Sequence, residues 1–389
     1  MDSTPVLNGG PTATRSKSRS QFWKVALMSL VGAVLGGALG FGSAYFLPKA
    51  QSSIGELVLE ILGVVVLFHL VLAVHEGGHL LGGYLSGFRF WVFIVGPVKI
   101  IREGQSIRVG WNTDPVLWGG VAASVPLDDR DLPRRMSLLV AGGPLASLAL
   151  ALLAGGLWYA LHVAQSGGLL IFTLGTTAVL SGIIFGLTVI PLPNAGFFTD
   201  GARLGMLLAD KAKAERWCGL AALSSSIALG QRPRDWNPAW VARSVSLPDG
   251  CLDDIGANLS AYYWALDRKE ISQAAQFLER AMANREGYPA SFRPLLLLET
   301  AYFIAMYDQN PGLARQWFDA AKGGMVDQHT RLRAQAAVLL AEGKTEEAMS
   351  QALRGLALVD RGTSPGISQA ETEWLQTFLG RSSQGALTT

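Results

Sequence analysis

From Ser137 to Ile190 the chain carries no Asp, Glu, Lys or Arg, and nothing else in the sequence narrows its fold so far. A charge-free stretch of that length is enough to cross a hydrocarbon layer of about 30 Å twice as helix. Gln165-Ser166-Gly167-Gly168 supplies the break between the two crossings. The depletion extends over the whole first half. Charged residues make up about 11% of residues 1–200 and about 21% of residues 201–389, the latter near the value of about 25% for soluble domains. A membrane half therefore precedes a soluble half.

Two further spans complete the membrane half. Residues 1–24 are rich in Ser, Thr, Pro and Gly and carry Arg15, Lys17, Arg19 and Lys24, which reads as a disordered basic tail. Val25 to Leu47 is uncharged and longer than the apolar run of a cleaved signal peptide, so it reads as an uncleaved first span. The second span, Ile54 to Leu85, has Glu56 and Glu60 early and ends in His-Glu-Gly-Gly-His. Basic residues set the orientation. The tail holds four, and the connection between the second and third spans holds Arg89, Lys99, Arg102, Arg108, Arg130, Arg134 and Arg135, whereas the opposite connections offer only Lys49. By the positive-inside rule both ends of the chain face the cytoplasm, as an even number of spans requires. The expected location is thus an inner membrane, as an integral multi-pass protein.

The segment after the second span is neither lipid-like nor helical. Phe88–Val95 is aromatic and β-branched, and Val98–Ile101 and Ile107–Val109 flank Arg102-Glu103-Gly104-Gln105. This pattern predicts a β-hairpin at the membrane surface, either packed on the helices or binding an extended substrate by strand addition. Trp91, Trp111 and Trp118 read as interface anchors.

His75-Glu76-Gly77-Gly78-His79 carries the chemistry. Residues four apart share one helix face, so both imidazoles can reach one Zn2+, and the Glu after the first His stands beside the attacking water. Gly77 and Gly78 weaken the helix by roughly 1 kcal/mol each relative to Ala, which implies tight helix packing or close approach of a substrate backbone. His69 lies too far round the helix to share that face and reads as a hydrogen-bonded interior residue. A catalytic zinc takes three protein ligands and leaves one position open. Glu56, Glu60, Glu103 and Asp114 are candidates for the third. Asp200 leads them, because it follows the fourth span through Pro191-Leu192-Pro193 and so returns to the cytoplasmic face at the depth of the two His, in a segment otherwise poor in acids.

HEGGH at the end of a span, Gly142-Gly143-Pro144-Leu145-Ala146-Ser147 opening the next, and Pro191-Leu192-Pro193 leading to Asp200-Gly201 together resemble the site-2 protease family of intramembrane zinc metalloproteases, over roughly residues 54–205. The resemblance implies one zinc ion per chain on His75, His79 and Asp200, with Glu76 as catalytic base, and transmembrane protein substrates cut in regulated intramembrane proteolysis. Ser147 and Thr188 depart from it, standing where the family commonly has Asn; both hydroxyls can still donate a hydrogen bond.

The soluble half repeats itself. Ala274, Leu278 and Ala281 recur as Ala314, Phe318 and Ala321 and again as Ala348, Ala352 and Gly355, at offsets of 40 and 34 residues. Each triplet follows an apolar helix and a polar turn, so residues 251–381 resemble degenerate tetratricopeptide-type helix pairs, whose concave side commonly binds a protein or peptide partner. An amphipathic helix and a Trp/Pro/Arg-rich linker fill residues 206–250, and residues 382–389 read as a polar tail. The expected architecture is a mainly α chain: a polytopic membrane helix bundle of about four spans with a surface hairpin, then a soluble α-helical repeat domain. Cys218 and Cys251 form no CxxC and read as reduced thiols. No Lys/Arg block interleaved with aromatics offers a nucleic-acid footprint. Beyond the zinc set, the spans have no charged residues suited to a transport pathway. The remaining alternative to a peptidase is a catalytically weak or inactive membrane-anchored scaffold that works through its helical repeats.

Overall fold

The computed structural model describes residues 7–11, 54–103, 106–112, 118–164, 168–191, 198–324, 326–359 and 365–385. The span expected over residues 25–47, most of the basic tail and the break at 165–167 lie outside them. The described chain is mainly helical with one small antiparallel sheet. It divides into two compact units, residues 16–211 and residues 1–15 with 212–389.

In the first unit α1 (Ile54–Leu85), α2 (Leu132–Val163) and α3 (Leu169–Val189) are long and apolar enough to cross a membrane. Leu59, Leu62, Val66, Leu70 and Val74 of α1 and Leu152, Leu157 and Val163 of α2 are exposed, so apolar side chains cover the outside of these helices as well as the inside. That is a surface suited to lipid. Between α1 and α2 the packing is glycine-mediated: a Cβ on Gly78 would collide with the Gly142 carbonyl, and one on Gly82 with the Leu138 carbonyl. Small residues bring helix backbones together where no hydrophobic drive operates. Gly77 meets nothing within 4 Å, so of the two adjacent glycines only Gly78 is accounted for by helix packing.

Local chemistry ends α1. Gly87 takes φ 73°, Phe88 N–H donates to the Gly83 carbonyl at 2.8 Å, and the Ser86 hydroxyl donates to the Gly82 carbonyl at 2.7 Å. A left-handed glycine just past the last turn is the usual helix stop. Arg135 then ties this corner together, with its Nε donating to the Ser86 carbonyl at 2.7 Å, its Nη1 on Asp128 at 2.6 Å and its guanidinium over the Phe88 ring.

The surface segment forms four strands rather than a lone hairpin: β1 (Arg89–Val95), β2 (Val98–Glu103), β3 (Ser106–Trp111) and β4 (Val121–Val125), in the order β3-β2-β1-β4. The expected hairpin is β2–β3, with Arg102 opposite Ile107, and β3 is exposed along its length. Strand β4 pairs with β1 across a bulge between Phe90 and Val92 and packs, like β1, on α1. Gly96 turns β1 into β2 at φ 52° against the His69 ring, whose Nδ1 donates to the Val65 carbonyl at 2.8 Å.

α4 (Asp200–Ala209) closes this unit against α2 and α3. Thr199 caps it, accepting from Ala202 N–H at 3.3 Å while its hydroxyl donates to the Ile190 carbonyl at 2.8 Å. Gly201 lies so close to Val189 that any Cβ would collide with the Val189 carbonyl, which explains the glycine after Asp200.

The second unit contains α5 (Lys211–Ala228), α6 (Pro238–Ser244), α7 (Leu252–Asp267), α8 (Ile271–Ala283), α9 (Arg293–Phe303), α10 (Pro311–Ala320), α11 (Gln328–Ala341), α12 (Thr345–Leu356) and α13 (Pro365–Gly385). Consecutive helices pack as pairs: α7 with α8, α9 with α10, α11 with α12. The small residues of the echo sit between them, with Ala274, Ala281, Ala314, Ala348 and Ala352 almost fully buried. A left-handed residue ends the first helix or turn of each pair, Lys269 at φ 62°, Gln309 at φ 53° and Gly343 at φ 80°, in step with the same offsets. Residues 212–250 pack into this unit too. Trp236 and Val241 lie in its core, and the Arg232 guanidinium donates twice to the Asp267 carboxylate at 2.8 and 2.7 Å. α13 carries the helical backbone on to Gly385. Cys218 is buried, and burial pushes its thiol up to about 12, leaving it protonated and inert at neutral pH.

Candidate metal centre

The last turns of α1 carry His75, Glu76 and His79, and the first residue of α4 carries Asp200. One ligand atom from each of His75, His79 and Asp200 lies within 4.8 Å of the others. The Asp200 Oδ2 is 3.3 Å from His75 Nε2 and 3.5 Å from His79 Nε2, and the two rings stand at 89° with centroids 4.9 Å apart. In a tetrahedral zinc site with bonds of about 2.0–2.1 Å, neighbouring ligand atoms are about 3.3–3.4 Å apart. The two Asp200 edges lie close to that figure and are long for a direct N–H···O hydrogen bond.

The far side of the His79 ring fixes its tautomer. His79 Nδ1 is 2.9 Å from the Leu139 carbonyl, an acceptor only, so Nδ1 carries the hydrogen and a neutral ring presents a bare Nε2 lone pair to Asp200. His75 Nδ1 is 2.9 Å from the hydroxyl of Ser147, a residue with no exposed surface. With both rings neutral and both Nε2 atoms bare, two imidazole lone pairs and a carboxylate would converge on one point, an arrangement that a cation between them satisfies. Hydrogen-bonded Nδ1 groups with Nε2 turned to a common point are the usual second sphere of a histidine metal site.

Glu76 is 9% exposed and sits between α1 and the start of β4. A Cβ on Gly120, itself at φ 95°, would strike the Glu76 carboxylate, and the Ala122 backbone N–H donates to it. Glu76 is thus held by a strand that the sequence did not disclose. A Cβ on Gly143 would strike the His79 ring, so α2 touches both imidazoles, with Gly143 at one and Ser147 at the other.

Of the other third-ligand candidates, Glu60 lies outside the cluster. Asp114 and the side chains of Glu56 and Glu103 lie outside the described residues. Thr188 is turned to its own helix, its hydroxyl donating to the Phe185 carbonyl at 3.3 Å. Sequence reasoning missed Ser147 as the partner of His75 and Ala122 as the partner of Glu76. The signal for Ser147 was available, since its spacing of four from Gly143 equals that of His75 from His79 on an antiparallel neighbour. Comparison of the chain with protein-family models, with curated proteins and with solved structures finds no match in any of the three.

Proposed function

We propose that this chain is an intramembrane zinc metalloendopeptidase of the site-2 protease type, with His75, His79 and Asp200 as the zinc ligands and Glu76 as the catalytic base. One observation carries the reading: Asp200, more than 120 residues along the chain, meets His75 and His79 with one carboxylate oxygen 3.3 and 3.5 Å from their Nε2 atoms, beside a carboxylate that is not in the ligand set. Zinc bound by His75, His79 and Asp200 would supply a Lewis acid that lowers the pKa of water toward about 7. Glu76 accepts a proton from the attacking water and passes it to the leaving amine, and the Ala122 N–H keeps its carboxylate aimed during both transfers. The Leu139 carbonyl holds His79 in the tautomer that leaves Nε2 free, and the Ser147 hydroxyl, which can accept from Nδ1, orients the His75 ring.

A membrane-spanning substrate would have to unwind, because a helical carbonyl is already hydrogen bonded. Strand β4 is the sheet edge nearest Glu76, whereas the exposed hairpin strand β3 is the opposite edge. The extended substrate accordingly pairs with β4 in this reading, not with Ile107–Val109. The paired helices α7–α12 serve as a tetratricopeptide-like protein-binding domain on the cytoplasmic side. A second reading, a membrane-anchored scaffold with a weak or silent site, draws on Thr188, whose hydroxyl donates to the Phe185 carbonyl of its own helix.

The test compares wild type, Glu76→Gln and His75→Ala in membranes, measuring bound zinc and the accumulation of uncut membrane proteins. Glu76→Gln should retain zinc and lose cleavage, and His75→Ala should lose both. Equal cleavage by all three proteins refutes the peptidase. Proline at Ala123 should block cleavage, whereas proline at Val109 should spare it.

A further inference from the structure

Residues 7–11 belong to the C-terminal unit, although at least three membrane-length helices separate them from it in sequence. Leu7–Gly9 forms one 3-10 turn, and Leu7 is 1% exposed within the same core as Trp317. Trp317 has no exposed surface, and its indole N–H donates to the Leu7 carbonyl at 3.1 Å. Gly10 takes φ 66° and lies against α10: a Cβ there would sit 3.1 Å from Gln316 Oε1 and 3.8 Å from Leu313 Cδ1. A leucine anchor, a main-chain acceptor for a buried indole and a left-handed glycine thus meet Leu313, Gln316 and Trp317 on a single helix. Each contact has a chemical reason. Leucine leaves water, the indole N–H gains the partner it needs when buried, and glycine alone adopts that φ without strain.

We propose that the helical unit has a peptide-binding site on α10 that recognises a leucine followed by a glycine turn, and that the chain's own residues 7–11 occupy it as a latch in cis. The site owes nothing to the metal centre and stands whether or not the chain is a peptidase. Docking in cis also requires the tail and the helical unit to share one aqueous side of the membrane. A tethered ligand acts at an effective concentration in the millimolar range, so the latch stays closed even when the free peptide binds weakly.

The full-length protein in nanodiscs is compared with one lacking residues 1–11, using a fluorescent peptide of residues 1–15 as the probe. The peptide should bind the shortened protein at least tenfold more tightly than the intact one. The L7D peptide should not bind, and Trp317→Phe in the shortened protein should weaken binding several-fold. Equal binding to both proteins, or equal binding of the wild-type and L7D peptides, overturns the proposal. Should the shortened protein fail to fold, a protease site inserted after Thr14 of the intact chain allows the tail to be cut in place. The cut tail should co-elute with the protein and be displaced by excess peptide but not by its L7D form; a tail that leaves as soon as it is cut overturns the latch equally.

Discussion

The Leu139 carbonyl accepts from His79 Nδ1 at 2.9 Å, and this one contact decides which nitrogen of His79 can serve as a ligand. A carbonyl has no proton to give, so Nδ1–H is fixed and Nε2 faces Asp200 as a lone pair. In the proposed zinc site the three donors act as a set. Replacing either His79 or Asp200 by Ala should lower zinc affinity on the order of 100-fold or more, leaving purified protein with well under one zinc per chain. Atomic absorption after dialysis against a weak chelator measures this. Undiminished zinc in Asp200→Ala would remove Asp200 from the ligand set.

Ser147 gives a finer test. Its hydroxyl is the partner of His75 Nδ1, and Ser181 in turn donates to the Ser147 carbonyl at 2.8 Å, fixing α2 against α3 at this depth. Ser147→Ala should keep the helices together but free the ring. Zinc affinity should fall about 10–100-fold, the usual cost of losing such a partner. A competitive zinc titration of the two proteins provides the measurement, and matched affinities would show that His75 needs no help from α2.

The two adjacent glycines of HEGGH should behave oppositely. Gly78 faces the Gly142 carbonyl with no room for a methyl group, so Gly78→Ala must push α1 from α2 and should cost about 1–3 kcal/mol, with loss of bound zinc. Gly77 has open space around its Cβ position, and Gly77→Ala should stabilise the helix by about 0.5–1 kcal/mol. Thermal unfolding in detergent separates the two. Reduced cleavage by a stable Gly77→Ala protein would mean that a substrate backbone uses that space.

How much of this was visible beforehand follows from the range of the forces involved. The apolar helices, the HEGGH face and the turns at Lys269, Gln309 and Gly343 are encoded within a few residues of themselves, and each is where periodicity or turn chemistry puts it. Asp200 could be reached from topology and depth alone. Strand β4 could not: Val121–Val125 is short and small-sided, and only its pairing with β1 makes it a strand. Likewise Trp236 and Arg232 look like linker residues until Asp267 and the helical core come round to meet them. The partnership of Leu7 and Trp317 spans almost the whole chain, and no local pattern announces it.

Acid should act on the C-terminal unit through Asp267, whose side chain is 1% exposed. Burial pushes its carboxyl up, but hydrogen bonds from the Arg232 guanidinium and the Arg234 backbone N–H outweigh that and leave it below the usual range. A folded value below the unfolded value of about 3.9 means the unfolded chain takes up the proton first as pH falls. The stabilisation is therefore complete above about pH 5 and is lost as pH drops through the folded value. Asp267→Asn should cost about 1–2 kcal/mol at pH 7, because it weakens the charge-assisted hydrogen bonds while Arg232 and Arg234 keep Glu373 as a partner, and should flatten the dependence of melting temperature on pH between about 3 and 5. Parallel pH slopes in the two proteins would assign acid sensitivity to other carboxylates.

Lys269 and Gln309 hold left-handed backbone at the ends of helical segments where the third equivalent position has Gly343. A side chain in that conformation costs about 1 kcal/mol or more, which glycine avoids. Lys269 makes its turn with its own N–H donating to the Leu266 carbonyl at 3.0 Å, so its backbone, and not its side chain, defines the corner. Lys269→Gly and Gln309→Gly should therefore each stabilise the unit by up to about 1 kcal/mol, and the two changes should add, since they lie at separate corners. Gly343→Ala should destabilise it by a similar amount. Chemical unfolding followed by near-ultraviolet circular dichroism measures all three. A loss of stability in Lys269→Gly would show that the lysine side chain contributes more than its backbone strain costs.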